Sequence, residues 1–385
     1  MAHGIQRCLS INDLQRRARR YLPRVIYDYL EGGADDEACL AENLARLRRY
    51  KLRPRYMVDI SSRSQQVSLF GRTYQSPFGI SPMGMLGMVR KGGDLALAQV
   101  AAQAGIPFIL SGASNASIES IARCAPGSWL QFYPCKDAEI ERDILARAAT
   151  AGVETLVVAV DVPLHSKRER NIRSGWVRPY KPSLAVMTEA LRHPEWVLRY
   201  LRHGIPAMEN FLPYAPASIS ARDLTSFYAS QVPAPHQWAL IGRLRHQWKG
   251  NLVLKGILTA EDALLAAQAG ADGVIVSNHG GRQLDRGITS IDALPGVVDA
   301  VGQQLAVMFD SGIRRGSDIA VALALGARMC FAGRAAAYGL AAYGAPGVRR
   351  AVDILRTELD LTLGQIGCPD VRALGPAYLW QATPG

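Results

Sequence analysis

An imidazole, two glycines and a guanidinium stand together in the stretch Ser277-Asn278-His279-Gly280-Gly281-Arg282-Gln283-Leu284-Asp285. A histidine of ordinary pKa, near ~6.5, takes up a proton at neutral pH and gives it back. Gly280 and Gly281 let the backbone approach a ligand closely, and Arg282 sets a permanent cation beside the base. His193, His203, His236 and His246 have no such neighbours and read as structural or exposed. Asp161, at the end of an earlier apolar run, is placed either to steady the imidazolium that forms or to cap a helix.

A second group points to an anion. Asp310-Ser311-Gly312-Ile313-Arg314-Arg315-Gly316 and, further on, Gly333-Arg334 combine glycine with arginine, the composition of a phosphate-binding loop. Lys255 is flanked by Leu252, Val253 and Leu254, which argues against a lysine reaching out to solvent. It suits a place against a cofactor ring, where it would favour negative charge.

The elements that must hold these groups follow from eight short apolar runs: 76–83, 107–113, 129–133, 155–162, 252–257, 273–279, 306–312 and 328–334. Amphipathic stretches lie between them, among them Asp94–Ala104, Asp137–Gly152, Ala260–Gly270 and Ser317–Gly326. Strand, crossover helix and strand, repeated eight times, predict an α/β fold, a (β/α)8 TIM barrel within a single domain over residues 1–385. In such a barrel the carboxyl ends of the strands face the active site. Here they carry Pro82-Met83-Gly84, Ser111, Gln131 with Tyr133, Asp161, Lys255, Ser277 with His279, Asp310-Ser311-Gly312 and Gly333-Arg334.

Residues 1–60 precede the first run and predict two capping helices, Ile11–Gly32 and Asp35–Arg48. The interval 163–251 is too long for one crossover and predicts an insertion after the fourth strand. Within it, 176–215 mixes Trp176, Leu184, Val186, Met187, Leu191, Trp196, Val197, Leu198, Tyr200, Leu201, Phe211 and Leu212 with Arg178, Lys181, Arg192, Arg199 and Arg202. Such a stretch suits the interface of an anionic membrane. The alternative is a segment packed over its own barrel or into an oligomer contact.

Composition narrows the classes. The six cysteines are far apart with no CxxC pair and no secretory signal precedes them, so reduced thiols in a cytoplasmic protein are expected, with no disulfide and no metal site. No apolar run reaches the ~20 residues of a spanning helix. The formal charge of +11 is scattered, apart from Arg16, Arg17, Arg19 and Arg20 and the stretch near 164–202, and nucleic-acid motifs are absent.

On these residues the chain resembles the FMN-dependent 2-hydroxy acid oxidising enzymes. Ser277–Asp285 carries the likeness most specifically, and Tyr27-Asp28-Tyr29, Gln131-Phe132-Tyr133, Arg168 and Asp310–Gly316 stand in the same order. Tyr27–Ala34, Arg202-His203-Gly204, Asp310–Asp318 and Gln365–Asp370 are most similar to the family's bacterial mandelate-oxidising members. The resemblance implies FMN as cofactor and an (S)-2-hydroxy acid as substrate, mandelate or a similar aromatic acid, with a small aliphatic acid such as lactate or glycolate as the alternative. It implies that His279 is the base, Asp161 its partner, Arg282 and Arg168 the clamp on the substrate carboxylate, and Tyr29 and Tyr133 further contacts to the substrate. Gly84 would leave room for a ring. Pro82, Met83, Gly84, Ser111, Gln131, Lys255 and Ser277 would surround the flavin, and Asp310, Ser311, Gly312, Arg314, Gly333 and Arg334 its phosphate end.

Met83 stands where threonine or serine is common in the family, and Ala159 where threonine is common, so two hydrogen bonds to the flavin are missing. The resemblance further implies a homo-oligomer, a tetramer, lying peripherally on the inner face of the cell membrane, with quinone or oxygen as electron acceptor. A non-catalytic flavin-binding protein is the reading from another class. The complete set of polar strand ends argues against it.

Overall fold

The computed structural model describes residues 2–176, 183–232 and 237–380. Among the described residues ten strands form: a hairpin of β1 (Val67–Leu69) and β2 (Arg72–Tyr74), then β3 (Phe78–Ile80), β4 (Ile109–Leu110), β5 (Trp129–Phe132), β6 (Thr155–Ala159), β7 (Asn251–Ile257), β8 (Gly273–Val276), β9 (Ala306–Asp310) and β10 (Met329–Ala332). The last eight lie one in each of the eight apolar runs. They pair in parallel in the order β3-β10-β9-β8-β7-β6-β5-β4, and a bridge from Ile80 to Phe108 closes the ring. Both faces of these strands are covered, by the barrel interior and by the helices, which is why they read as continuous apolar runs rather than alternating ones. The four expected crossover helices form at Gly93–Ala104, Ala138–Thr150, Ala260–Gln268 and Gly316–Ala324.

Inside the barrel, Ile109, Trp129, Val157, Val253, Ile275, Met308, Met329 and Phe331 pack into one buried cluster together with Leu69 and Tyr74 of the hairpin. Arg72 of the hairpin pairs with Glu154, just ahead of β6, at 2.8 Å. The hairpin is therefore a plug in the amino end of the barrel. The strand reading from residue 76 onward did not contain it.

The expected helix Ile11–Gly32 is two helices, Ile11–Tyr21 and Arg24–Glu31. Pro23 has no N–H for the first helix and takes an extended ψ of 147° at the cap of the second, so the chain turns there. The second expected helix forms at Ala38–Arg49. Its start is delayed because Asp35 and Glu37 adopt positive φ.

After β6 the insertion folds into short helices, Glu169–Arg173, Leu184–Ala190, Pro194–His203 and Ala221–Gln231, before Trp238–Gln247 completes the crossover to β7. The interfacial stretch 176–215 is divided in two by burial. Trp196 and Phe211 are buried against the barrel, whereas Leu184, Met187, Leu191, Leu198 and Leu201 are exposed, Leu184 at 76% and Leu201 at 73%. Arg178 and Lys181 lie outside the described residues. Among the described residues no helix is long and apolar enough to cross a membrane.

Candidate active site

Side chains alternate along a strand, so two residues beyond each floor residue the chain again faces the barrel interior. Those positions are Ser111, Gln131, Ala159, Lys255, Ser277, Asp310 and Gly333. Except for Ser277, which is fully buried beneath, all of them line one large cavity at the carboxyl end of the barrel. Tyr29, Pro82, Met83, Gly84, Tyr133, Arg168, His279, Arg282, Ser311, Gly312, Arg314 and Arg334 line the same cavity. Asp161 stands behind His279. Every expected site residue is thus either in the wall or directly behind it.

His279 has φ 58°, a left-handed conformation that a residue with a Cβ adopts at a cost of about 1–2 kcal/mol. The strain is held in place: its N–H donates to Ser277 Oγ at 3.1 Å, and Gly280 and Gly281 continue the turn with positive φ. Its Nδ1 lies 3.1 Å from both carboxylate oxygens of Asp161, which leaves Nε2 for the cavity. Burial lowers the imidazole pKa below its ordinary value, with Lys255 and Arg168 adding to the fall and Asp161 opposing it. Burial raises the Asp161 carboxyl, but the charge and hydrogen bond of His279, and then Lys255, outweigh it, so Asp161 titrates below the usual carboxylate range.

Lys255 is buried. Its Nζ donates to Ser277 Oγ at 2.7 Å and pairs with Asp310 Oδ2 at 3.0 Å. Ser81 Oγ and Ser311 Oγ donate to the same carboxylate at 3.0 Å each. Four strands, β3, β7, β8 and β9, are tied by this polar network. Asp310 anchors this network and also lines the cavity. Gln131 accepts from Ser111 and from the Gly112 N–H at 3.3 Å each, while its Nε2 is buried with no partner.

The two guanidiniums meant for a carboxylate are held by backbone. Arg282 donates to the carbonyls of Tyr29 and Gly32 at 2.9 and 2.7 Å and lies over the Tyr29 ring. Burial, then the charge of Arg168, pulls it down to about 9. Arg168 donates to the Arg282 carbonyl at 3.2 Å and to Gln283 Oε1 at 2.9 Å. Tyr29 donates its hydroxyl to the Gly84 carbonyl at 3.0 Å. Burial, then Asp161, raises the phenol of Tyr133.

At the phosphate end the two loops differ. The N–H groups of Arg314 and Arg315 are taken by Asp318 at 2.8 and 2.9 Å. The helix Arg334–Tyr343 begins at Gly333 with no side-chain cap, and Gly333 and Arg334 open on the cavity. An uncapped helix start with Arg334 and Arg314 beside it suits an anion. Arg334, pulled by burial and by Arg282 down to about 10, lacks a carboxylate partner among the described residues. The orphaned amide of Gln131 at the ring end and these cations at the other end fit FMN.

Four residues of the site lie outside the set expected from the sequence. Gly256 interrupts β7 with φ 108°, where the register shifts between Lys255 and Ile257. A Cβ there would stand 2.5 Å from the Asp161 Cβ, so glycine both makes the bulge and admits the carboxylate behind the base. A lone glycine inside an apolar run was the available signal. Gln283, within the histidine motif, donates to the Asp161 carbonyl at 3.2 Å and accepts from Arg168, joining the base's partner to the carboxylate clamp. Tyr228 and Val232, far along the chain in the insertion, add to the apolar wall, and Phe211 meets the Tyr228 ring edge-on at 4.8 Å. Gly84 corrects an expectation in part: it lines the cavity, but a Cβ there would meet the Ala113 Cβ at 2.8 Å, so close packing also requires glycine.

A family profile described as FMN-dependent dehydrogenase matches residues 18–381. The chain is 41% identical over 375 residues to the (S)-mandelate dehydrogenase of Pseudomonas putida, covering 97% of this chain and 94% of that one. It is 38% identical over 377 residues to the L-lactate dehydrogenase of Caulobacter vibrioides, covering 97% and 98%. A crystal structure of the monotopic membrane protein (S)-mandelate dehydrogenase superposes with a TM-score of 0.94 at 41% identity, over 97% of this chain and 99% of that one.

Proposed function

The chain belongs to the FMN-dependent dehydrogenase family and is an FMN-dependent 2-hydroxy acid dehydrogenase; within that class, we propose that its substrate is an aromatic (S)-2-hydroxy acid of the mandelate type. One observation carries the choice: the cavity that holds Arg168 and Arg282 also has a wall of Met83, Leu86, Ala113, Val162, Tyr228 and Val232, enough apolar surface for a ring. Similarity to a mandelate dehydrogenase supports it, and the lactate dehydrogenase among the relatives names the competing substrate.

The residues divide the work as follows. Arg282 and Arg168 bind the carboxylate, Arg282 prealigned by two carbonyls and Arg168 by Gln283, so little orientation is left to be found on binding. Tyr133 donates to the substrate's oxygens, its raised pKa keeping the phenol protonated, while the Tyr29 hydroxyl, its proton held by the Gly84 carbonyl, contacts the substrate through its oxygen or its ring. His279 Nε2 accepts the proton that leaves the substrate, and Asp161 steadies the resulting imidazolium through Nδ1. Bound FMN supplies the two-electron acceptor. Pro82, Met83, Gly84, Ser111, Gln131, Lys255 and Ser277 would hold its ring, and Gly312, Arg314, Gly333 and Arg334 its phosphate end. Lys255, with Ser277 and Asp310, would set the charge beside the ring. Met83 and Ala159 offer the flavin no hydrogen bond there.

The exposed leucines of the insertion support attachment to a membrane surface, where a quinone is the acceptor at hand. Anaerobic mixing of the yellow holoenzyme with 2-hydroxy acids tests the substrate: mandelate is expected to bleach the flavin faster than lactate or glycolate. A faster reaction with either small acid would overturn the aromatic assignment and leave the class intact.

A further inference from the structure

The apolar and cationic parts of the proposed membrane surface come from different places in the chain. Leu184, Met187 and Leu191 recur at helical spacing, as do Leu198 and Leu201, and all five are exposed. Their charges do not favour an anionic surface. Among the described residues of 176–215, Arg192, Arg199 and Arg202 are balanced by Glu189, Glu195 and Glu209. Glu195 pairs with Arg199 at 3.5 Å. Arg178 and Lys181, outside the described residues, bring the excess over 176–215 to two.

The missing charge stands next door. Helix Ile11–Tyr21 buries Ile11, Leu14, Ala18 and Tyr21 and leaves Arg16, Arg17, Arg19 and Arg20 exposed. With Arg24, the stretch 11–24 has five arginines and a single carboxylate, Asp13. Its end is fastened to the insertion: His193 Nδ1 meets the Arg20 carbonyl at 3.1 Å, and the Arg24 N–H donates to the Glu189 carboxylate at 3.1 and 3.2 Å. On the other flank, the exposed Lys91 stands 3.1 Å from His203 Nδ1.

We propose that the docking surface is composite: the insertion provides the apolar crest, and the arginine-rich N-terminal helix, with Lys91, provides the cations that meet anionic lipid headgroups. This rests on the membrane reading of the insertion above. Helix and insertion act together because they are bonded at Arg20 and Arg24, so the leucines enter the acyl boundary as the arginines reach the headgroup layer. Each such arginine strengthens attachment to anionic lipid about five-fold at low salt.

The test is flotation of the FMN-loaded enzyme with vesicles of phosphatidylcholine alone or mixed with phosphatidylglycerol, at low and high salt. The variants are Arg16→Gln/Arg19→Gln/Arg20→Gln and Leu198→Ser/Leu201→Ser. The arginine variant is expected to lose roughly a hundred-fold of its partitioning to anionic vesicles at low salt, to match the parent on neutral vesicles, and to keep full turnover in solution. The leucine variant is expected to lose attachment to both. If the leucine variant detaches and the arginine variant partitions like the parent, the composite surface is wrong and the insertion alone is the anchor. If the parent floats with neither vesicle, the membrane reading fails and the composite surface with it.

Discussion

At the amino end of the barrel the inward positions are Ile109, Trp129, Val157, Val253, Ile275 and Met308; two residues along the same strands they are Ser111, Gln131, Ala159, Lys255, Ser277 and Asp310. The backbone is the same and the burial similar, yet the lower layer is wholly apolar and the upper one is almost wholly polar. The lower layer needs no partner beyond close packing. The upper one is tolerable only because each polar group is bonded to a neighbour, as in the Lys255, Ser277, Asp310, Ser81 cluster, or is aimed at a ligand, as the buried amide of Gln131 is. One step of the pleat separates stability from chemistry. Changes in the two layers should therefore fail in different ways.

The largest effect is expected at the rim. His279→Gln should keep the yellow colour, because the phosphate end and the Lys255 network are untouched. Stopped-flow flavin reduction should slow by roughly 10³–10⁴-fold once the base is gone. Reduction within ten-fold of the parent would remove His279 from the mechanism and the division between layers with it.

The floor should show the opposite pattern. Trp129 is buried against Phe70 and Phe331, with ring centroids 5.7 and 5.4 Å away. Trp129→Ala should cost about 3–5 kcal/mol of stability, read from urea unfolding of the holoenzyme. The rate of reduction per bound flavin should stay near that of the parent. A rate that collapses while stability holds would mean that the layers are not separable.

The carboxylate clamp sharpens the comparison within the rim. Arg282 is buried and held by two carbonyls, whereas Arg168 is aligned through Gln283 and Ser166. Replacing Arg282 with Met should lower kcat/KM by about 10²-fold, as expected for loss of a charge-assisted pair worth ~2–3 kcal/mol. Arg168→Met should lose less. Equal binding of the acid and its amide by the parent enzyme would show that charge is not the anchor.

The barrel and the rim were legible in the sequence because both depend on local pattern. Apolar runs at regular spacing can only be strands buried on both faces, and the residue at each run's end then faces the site by topology alone. What escaped was set by tertiary contact. The hairpin plug at Val67–Tyr74 has no apolar run of its own, since its work is done by Leu69 and Tyr74 inside someone else's barrel. Gly256 looked like any glycine until Asp161 was placed 2.5 Å from where its Cβ would be. The pairing of Asp310 with Lys255 joins residues 55 positions apart in the chain, which no local pattern announces. The break at Pro23 is masked in the sequence because apolar periodicity continues across it on both sides.

The smallest expected effect concerns pH. Burial, Lys255 and Arg168 depress the His279 pKa, and Asp161 alone of the named neighbours opposes them. The working form is the neutral imidazole, so kcat/KM should hold as pH falls through the ordinary imidazole range and decline only below it. Because the folded pKa lies below the unfolded one, the unfolded chain takes up its proton first, so this histidine's share of stability begins to fall near about 6.5 and is lost as pH drops on through the lower folded pKa. Asp161→Asn keeps an acceptor for Nδ1 but removes the opposing charge. The cationic neighbours and burial then act unopposed, so the acid limb should move to still lower pH. The plateau rate should fall at the same time, because the imidazolium has lost its counter-charge. A limb that stays in place, or moves upward, would show that the titrating group is not a histidine held by Asp161.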